Sequence, residues 1–332
     1  MSEDFSAIQV IADPVLSAFE LPLRRTFFPL GYPLVLETNS HDVIRAAEGG
    51  WGAFERMFIE DPVQVCLAVS ENDSEPPLPA PVVRSREHLM SIVADPGNFM
   101  LCDFDRGFSF GWVTRSTAAD HPLLRYQFLT AGGATLAQQW ALAPLHGALV
   151  MRNGTGVMLC GDSFAGKSTL AYACARAGWT YISDDGTFLV RGRDDRYAIG
   201  DPHGIRFRTD APELFPELAD RLPTVRPNGK IAIEVLTSDL CVSIAPGCVV
   251  DHVVFLNREL RLDQTGRASV RRHSENHARA HWAQCAVLGT EEVRAAQRRC
   301  YERLLDAGLW TMQYSNLDNA VERLERLVDH GA

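Results

Sequence analysis

The stretch that most constrains this chain is Gly161-Asp162-Ser163-Phe164-Ala165-Gly166-Lys167-Ser168-Thr169. It satisfies G-x-x-x-x-G-K-[ST], the Walker A pattern, at every fixed position. The glycines let the backbone close into an anion nest whose N–H groups cradle phosphates. Lys167 reaches the β- and γ-phosphates, and the Ser168 hydroxyl ligates Mg²⁺. All nine residues are therefore expected to hold a nucleotide. The pattern needs a strand before it and a helix after it, and the sequence supplies both. Val157-Met158-Leu159-Cys160 is a short apolar run that ends at Gly161. Leu170, Ala173, Cys174 and Ala177 recur at helical spacing. A helix is expected over about residues 169–177, with its N-terminal dipole facing the phosphates.

The residues around the loop extend the argument. Residues 148–152 read as a strand, Asn153-Gly154 as a type I′ turn, and 156–160 as the return strand that feeds the loop. Gly178 ends the helix. Residues 179–183 read as a strand that delivers Asp184-Asp185 at its C-terminal end, where parallel α/β sheets bind ligands. One carboxylate can hold Mg²⁺ opposite Ser168, and Asp184 is the candidate. The other can orient an incoming hydroxyl and accept its proton, and Asp185 is the candidate. The sequence alone leaves the order of these roles open. Two carboxylates this close repel, so one pKa should rise unless a metal neutralises them. A solvated strand end is the competing reading, because Asp is common in turns.

His146, some fifteen residues ahead of the loop, is a candidate for help with proton transfer, although a lone histidine is more often structural. A transferring phosphoryl group also needs extra positive charge. Arg206, Lys230 and Arg258 are the candidates, each otherwise a surface cation.

Composition limits the alternatives. A net charge of −10 argues against a general nucleic-acid binder. Arg261, Arg267, Arg271, Arg272 and His273 still make a local basic patch. No apolar run approaches a membrane span, and Met-Ser-Glu-Asp is not a signal peptide. None of the eight cysteines forms a C-x-x-C pair. Cys66, Cys160, Cys174 and Cys241 stand in apolar runs and read as buried, reduced side chains. A cytoplasmic location, with neither nucleic-acid nor membrane partners, is expected.

Two domains are expected: an α+β module over residues 1–135 and a P-loop α/β domain over 136–332. In the first, residues 21–28, 32–37 and 63–69 read as strands. A helix is expected from His41 to Glu48, capped by Asn39 or Ser40 and stopped by Gly49-Gly50. Residues 71–81 read as an exposed loop, 99–104 and 108–113 as a hairpin, and 130–135 as a break at Gly132-Gly133. In the second domain, 210–215 reads as a helix start, 231–236 as a strand, and Val253-Val254-Phe255-Leu256 as a central parallel strand. Residues 291–305 and 319–329 read as terminal helices.

His146-Gly147, the loop and Asp184-Asp185 occur in an order and at a spacing that resemble the catalytic domain of the HPr kinase/phosphorylase family. The likeness covers about forty-five residues, with a looser one at Tyr314-Ser315-Asn316-Leu317-Asp318 and the final helix. Thr169 stands where the bifunctional enzymes usually carry Glu, which marks a divergent member. The resemblance implies a sheet like that of phosphoenolpyruvate carboxykinase and ATP- and Mg²⁺-dependent transfer to a serine hydroxyl. It makes Lys167, Asp184, Asp185 and His146 catalytic candidates. The expected partners are ATP and a protein or peptide acceptor with a Ser or Thr hydroxyl, and a homo-oligomer is compatible with this. The alternatives are a kinase of small hydroxyl compounds and a non-catalytic ATP-binding regulatory protein.

Overall fold

The computed structural model describes residues 20–71, 73, 78–227, 229–257 and 268–330. They form two compact units. One comprises the described residues through Arg84 with Met90–Ala134; the other comprises Ser85–Leu89 with the residues from Thr135 onward.

The first unit is built on seven strands: β1 (Leu23–Phe27), β2 (Leu34–Thr38), β3 (Val63–Ser70), β4 (Val82–Arg86), β5 (Leu89–Asp95), β6 (Asn98–Asp103) and β7 (Phe108–Thr114). They lie in the order β1-β2-β3-β7-β6-β5-β4. Strands β2, β3 and β7 are parallel neighbours. The expected hairpin is the antiparallel β6–β7 pair. Strand β4 was not expected: all five of its residues are exposed, so it carries no alternating signal. Of the expected 71–81 loop, residues 72 and 74–77 lie outside the described residues.

Helix α1 (His41–Trp51) begins as expected, with the Asp42 N–H donating to Ser40 Oγ at 3.2 Å. It does not stop at Gly49-Gly50. It continues to Trp51, which is buried edge-on against Phe27 with ring centroids 5.8 Å apart. Arg125 Nη1 donates to the Gly49 carbonyl at 2.8 Å, and a Cβ on Gly49 would sit 2.9 Å from that nitrogen. These contacts outweigh the cost of roughly 1 kcal/mol per helical glycine. Two short helices follow, α2 (Arg115–Ala119) and α3 (His121–Leu124). The expected break at 130–135 is instead the end of a π-helical run over Arg125–Ala134. Its glycines serve close packing: a Cβ on Gly133 would lie 2.7 Å from the Trp51 ring.

The second unit opens with α4 (Thr135–Ala141), β8 (Leu142–His146), β9 (Ala148–Arg152), β10 (Thr155–Cys160), α5 (Lys167–Arg176) and β11 (Thr180–Ser183). Then come β12 (Gly186–Val190), β13 (Tyr197–Gly200), β14 (Gly204–Phe207), β15 (Thr224–Val225), β16 (Ile231–Leu236), β17 (Ser243–Ile244) and β18 (Gly247–Asn257). It closes with β19 (Ser269–Arg272), α6 (Glu275–Ala283), α7 (Glu291–Arg303), β20 (Gly308–Gln313) and α8 (Leu317–His330). Ten strands form one sheet along β17-β11-β9-β10-β18-β13-β12-β8, with β20 beside β18 and β19 beside β20. A small sheet, β14-β16-β15, stands apart.

Strand β18 is central and runs parallel to β10 and β20, as its apolar run predicts. Strand β9 is antiparallel to both β10 and β11, so those two point the same way. The hairpin turn has Asn153 at φ 50° and Gly154 at φ 83°, the positive values a type I′ turn requires. Alternate residues of each strand enter opposite cores. Val157, Leu159, Val254 and Leu256 pack with α5 and α8, whereas Met158, Cys160, Val253 and Phe255 pack with α6 and α7. This is an α/β sheet covered on both faces.

Two expectations in this unit need correction. The helix start at 210–215 is only a pair of three-residue 3₁₀ turns, Ala211–Glu213 and Pro216–Leu218. Pro216 disfavours the α region at Phe215, which sits at φ −133°, ψ 85°. Cys241 is exposed, unlike Cys66, Cys160 and Cys174. Among the described residues no helix is long and apolar enough to cross a membrane.

Candidate functional site

The C-terminal ends of β10, β11, β18 and β20 lie at one end of the sheet, and the loop leaves from the first of them. Its shape depends on left-handed backbone at Gly161 (φ 138°), Phe164 (φ 72°) and Gly166 (φ 94°). At Gly166 a Cβ would fall 2.5 Å from the Tyr314 hydroxyl, which donates to the Ala165 carbonyl at 3.3 Å. Helix α5 then starts at Lys167 with no side chain capping its first amides. Those amides and the dipole are left for an anion. Phe164 is 77% exposed, with the Arg208 guanidinium 5.1 Å from its ring centroid.

Lys167 is 7% exposed. Its Nζ donates to the Gly161 carbonyl at 2.8 Å and the Asp162 carbonyl at 3.1 Å. Burial lowers its pKa, and the Asp185 charge is the first to oppose that. The ammonium therefore sits inside the loop mouth, available to an anion. The Ser168 hydroxyl donates to the Asp184 main-chain oxygen at 3.2 Å.

The two aspartates point into different environments. Asp184 is 5% exposed, and its Oδ2 accepts the Arg206 N–H at 2.9 Å. Its pKa is pushed up to about 6, by burial first and by the Asp185 charge only as a lesser contribution. One pKa of the pair does rise, but loss of solvent outweighs the repulsion expected from sequence. Asp185 is more open. His146 Nδ1 lies 3.1 Å from its Oδ1, and this hydrogen bond is the main cause that holds the carboxylate below the usual range. Pairing of β8 with β12 sets His146 opposite Gly186, and the Gly147 N–H donates to the Asp185 carbonyl at 3.0 Å.

Of the cations read from sequence, Arg206 comes to the site through its main chain. Its guanidinium turns to Glu234 at 3.3 Å. Lys230 lies in the turn entering β16 and lines neither pocket beside the loop. Arg258 lies outside the described residues, as do Arg261 and Arg267.

Two pockets flank the loop. One, of about 610 Å³, opens on Gly161 and Asp162 and is walled by Phe255, Arg271 and the histidines 273, 277 and 281. The other, of about 620 Å³, opens on Gly166 and Thr169 and is walled by Phe215, Tyr314 and Asn316. His277 and His281 escaped the sequence reading. Their signal was the four-residue spacing between them, which puts both on one face of α6, with His273 just ahead of that helix. His281 is close enough for the Asp162, Lys167 and His146 charges to act on it, although burial is the larger influence and lowers its pKa.

The buried Asp184 gives a stability prediction. A carboxyl whose pKa rises from 3.8 to about 6 favours its protonated form in the folded chain. Below pH 3.8 it contributes nothing. Stability falls as pH rises from about 4 to 6, and above pH 6 the penalty is complete. At 1.36 kcal/mol per pKa unit, a rise of roughly two units is worth up to about 3 kcal/mol. Asn at this position can still accept the Arg206 N–H. In nucleotide-free denaturant titrations, Asp184→Asn should therefore be more stable than the parent at pH 7.5 and equal to it near pH 4. A variant less stable at pH 7.5 would refute this.

No family model matches the chain. It is 24% identical over 246 residues to HPr kinase/phosphorylase from Mycoplasmopsis pulmonis (strain UAB CTIP), covering 71% of this chain and 69% of that protein. The HPr kinase-like resemblance read from the motifs thus extends to a relative over most of the chain. A solved structure of the Hpr(Ser) kinase/phosphatase from Coxiella burnetii matches at 14% identity and a TM-score of 0.28, covering 56% of this chain and 97% of that one.

Proposed function

We propose that this protein is an ATP- and Mg²⁺-dependent kinase that transfers the γ-phosphate to a Ser or Thr hydroxyl of a protein or peptide. The observation that carries this reading is the convergence of the Lys167 ammonium, the uncapped start of α5 and the Asp185–His146 pair at one end of the sheet. The relative named a kinase supports a phosphotransferase role. In this reading residues 136–332 are the catalytic domain, with a sheet like that of phosphoenolpyruvate carboxykinase, and residues 1–135 select the acceptor or mediate assembly.

The residues have distinct tasks. The loop amides and Lys167 hold the β- and γ-phosphates. Asp185, kept ionised by His146, orients the acceptor hydroxyl and takes its proton. The hydroxyl oxygen bonds to the γ-phosphorus as the bond to the β,γ-bridging oxygen breaks, and ADP leaves. Bound Mg²⁺, with Ser168 and Asp184 as its protein ligands, would neutralise charge developing on the phosphate oxygens. The chemistry of the donors suits it, because a hydroxyl and a carboxylate are both hard oxygen ligands. The Ser168 hydroxyl meets Asp184 at its main-chain oxygen, at 3.2 Å.

The test is γ-phosphate transfer from labelled ATP with Mg²⁺, against serine and threonine peptides, HPr-like proteins and small hydroxyl compounds. Label on a peptide or protein hydroxyl is the expected result. Label only on a small compound would overturn the acceptor class. Nucleotide binding with no transfer would favour a non-catalytic regulator.

A further inference from the structure

The pocket at Gly161 and Asp162 lies on a definite side of the nucleotide site. Lys167, the residue that meets the β- and γ-phosphates, bonds these two carbonyls. The terminal-phosphate end of the loop therefore faces this pocket, and Gly166 and Thr169 face the other.

Sheet register decides which side chains the pocket receives. Phe255 pairs with Thr311, and Thr311 with Arg271, so the three share one face. Arg272 is on the opposite face, 4.2 Å above the Trp310 ring. His273 stacks on Phe255 with ring centroids 3.9 Å apart, and its Nδ1 is 2.7 Å from Thr311 Oγ1. Burial drives both His273 and His281 towards the neutral form. Arg272 also lines the pocket, but its guanidinium lies over Trp310, so Arg271 is the permanent cation on the Phe255 face of this wall. No described carboxylate forms an ion pair with it. Asp162 is the single carboxylate among the lining residues.

We propose that this pocket receives the acceptor segment, and that Arg271 binds an acidic side chain flanking the acceptor hydroxyl. The proposal rests on the kinase reading above. A guanidinium on an aromatic-floored wall, beside the γ-phosphate end of the loop, suits a carboxylate through paired N–H donors. It would give specificity without taking part in the chemistry.

The experiment uses the full chain with labelled ATP and Mg²⁺. The substrates are N-acetylated, C-amidated serine peptides whose flanking positions carry Asp or Glu, Ala, or Lys or Arg. The parent should prefer acidic over neutral flanks by at least about tenfold in kcat/KM, a difference of 1.4 kcal/mol in transition-state binding. Arg271→Ala should erase the preference through a higher KM for acidic peptides, Arg271→Lys should keep part of it, and Arg271→Glu should shift it to basic flanks. A preference that survives Arg271→Glu would overturn the proposal. So would an equal fall in kcat on every peptide in Arg271→Ala, which would place the guanidinium on the phosphoryl group instead. Label without acidic preference refutes the pocket assignment alone; no label on any peptide, nor on the HPr-like proteins of the wider panel, refutes the reading as a protein or peptide kinase as well.

Discussion

Lys167→Ala is expected to lower kcat/KM by at least roughly 10³-fold, comparable to removing a preorganised charge from a transition state. The loss should appear in both kcat and the KM for ATP, because in the proposed reaction the ammonium would meet phosphates before and during transfer. Lys167→Arg should not restore it. The ammonium is buried and fits between two carbonyls of its own loop. A planar guanidinium cannot take that place as a point charge. A change in stability would confuse the result. Burial is the larger influence on Lys167 and lowers its pKa, so the folded state disfavours the charged form. Truncation also leaves the Gly161 and Asp162 carbonyls without its hydrogen bonds. The two effects oppose, so the melting temperature should change little. Label-transfer kinetics with thermal melts check both parts. Substantial transfer by a folded Lys167→Ala protein would end the assignment of the loop to catalysis.

The second large effect belongs to Asp185. Asp185→Asn should reduce kcat by roughly 10²- to 10⁴-fold, the usual contribution of a positioned general base, with little change in nucleotide affinity. His146→Ala should cost less, because His146 acts through Asp185 by holding its Oδ1. The pH dependence separates the two aspartates. Asp185 has a depressed pKa, so its active ionised form is present above that value and is lost only as pH falls below the usual carboxylate range. Activity should therefore not decline near pH 5 on account of Asp185. Asp184, pushed up to about 6, protonates in that window and would weaken a metal site that uses it. Fixing Mg²⁺ at saturation should move an acid limb caused by Asp184 to lower pH and leave the Asp185 contribution in place. An Asp185→Asn protein with parental turnover would show that the carboxylate does not take the proton.

Much of the architecture near the loop was legible because local rules govern it. Asn153-Gly154 had to turn, since only a few residues accept two positive φ values in succession. The apolar run within β18 had to be central, since both its faces are buried. At the paired glycines, distant contacts had reversed a local preference. Gly49-Gly50 looks like a helix stop, yet Arg125 and the buried Trp51 hold it helical. Gly132-Gly133 looks like a break, yet it is where the backbone approaches Met100 and Trp51. The 210–215 segment carries helix-start residues, but Pro216 limits it to short turns.

The sequence by itself determined the loop over residues 161–169, the strand and helix that flank it, and the acidic pair one strand later. Backbone conformation and hydrophobic period specify these over a few residues, and they need no distant partner. Only the tertiary structure decided what surrounds them. Pairing of β8 with β12 brings His146 to Asp185 across nearly forty positions. Sheet register puts Arg271 on the Phe255 face and Arg272 on the other. Burial, which no local pattern encodes, raises the pKa of Asp184, whereas the hydrogen bond with His146 lowers that of the adjacent Asp185. Those differences arise from solvent exclusion and from strands far apart in the chain, so they exist only once the sheet has formed.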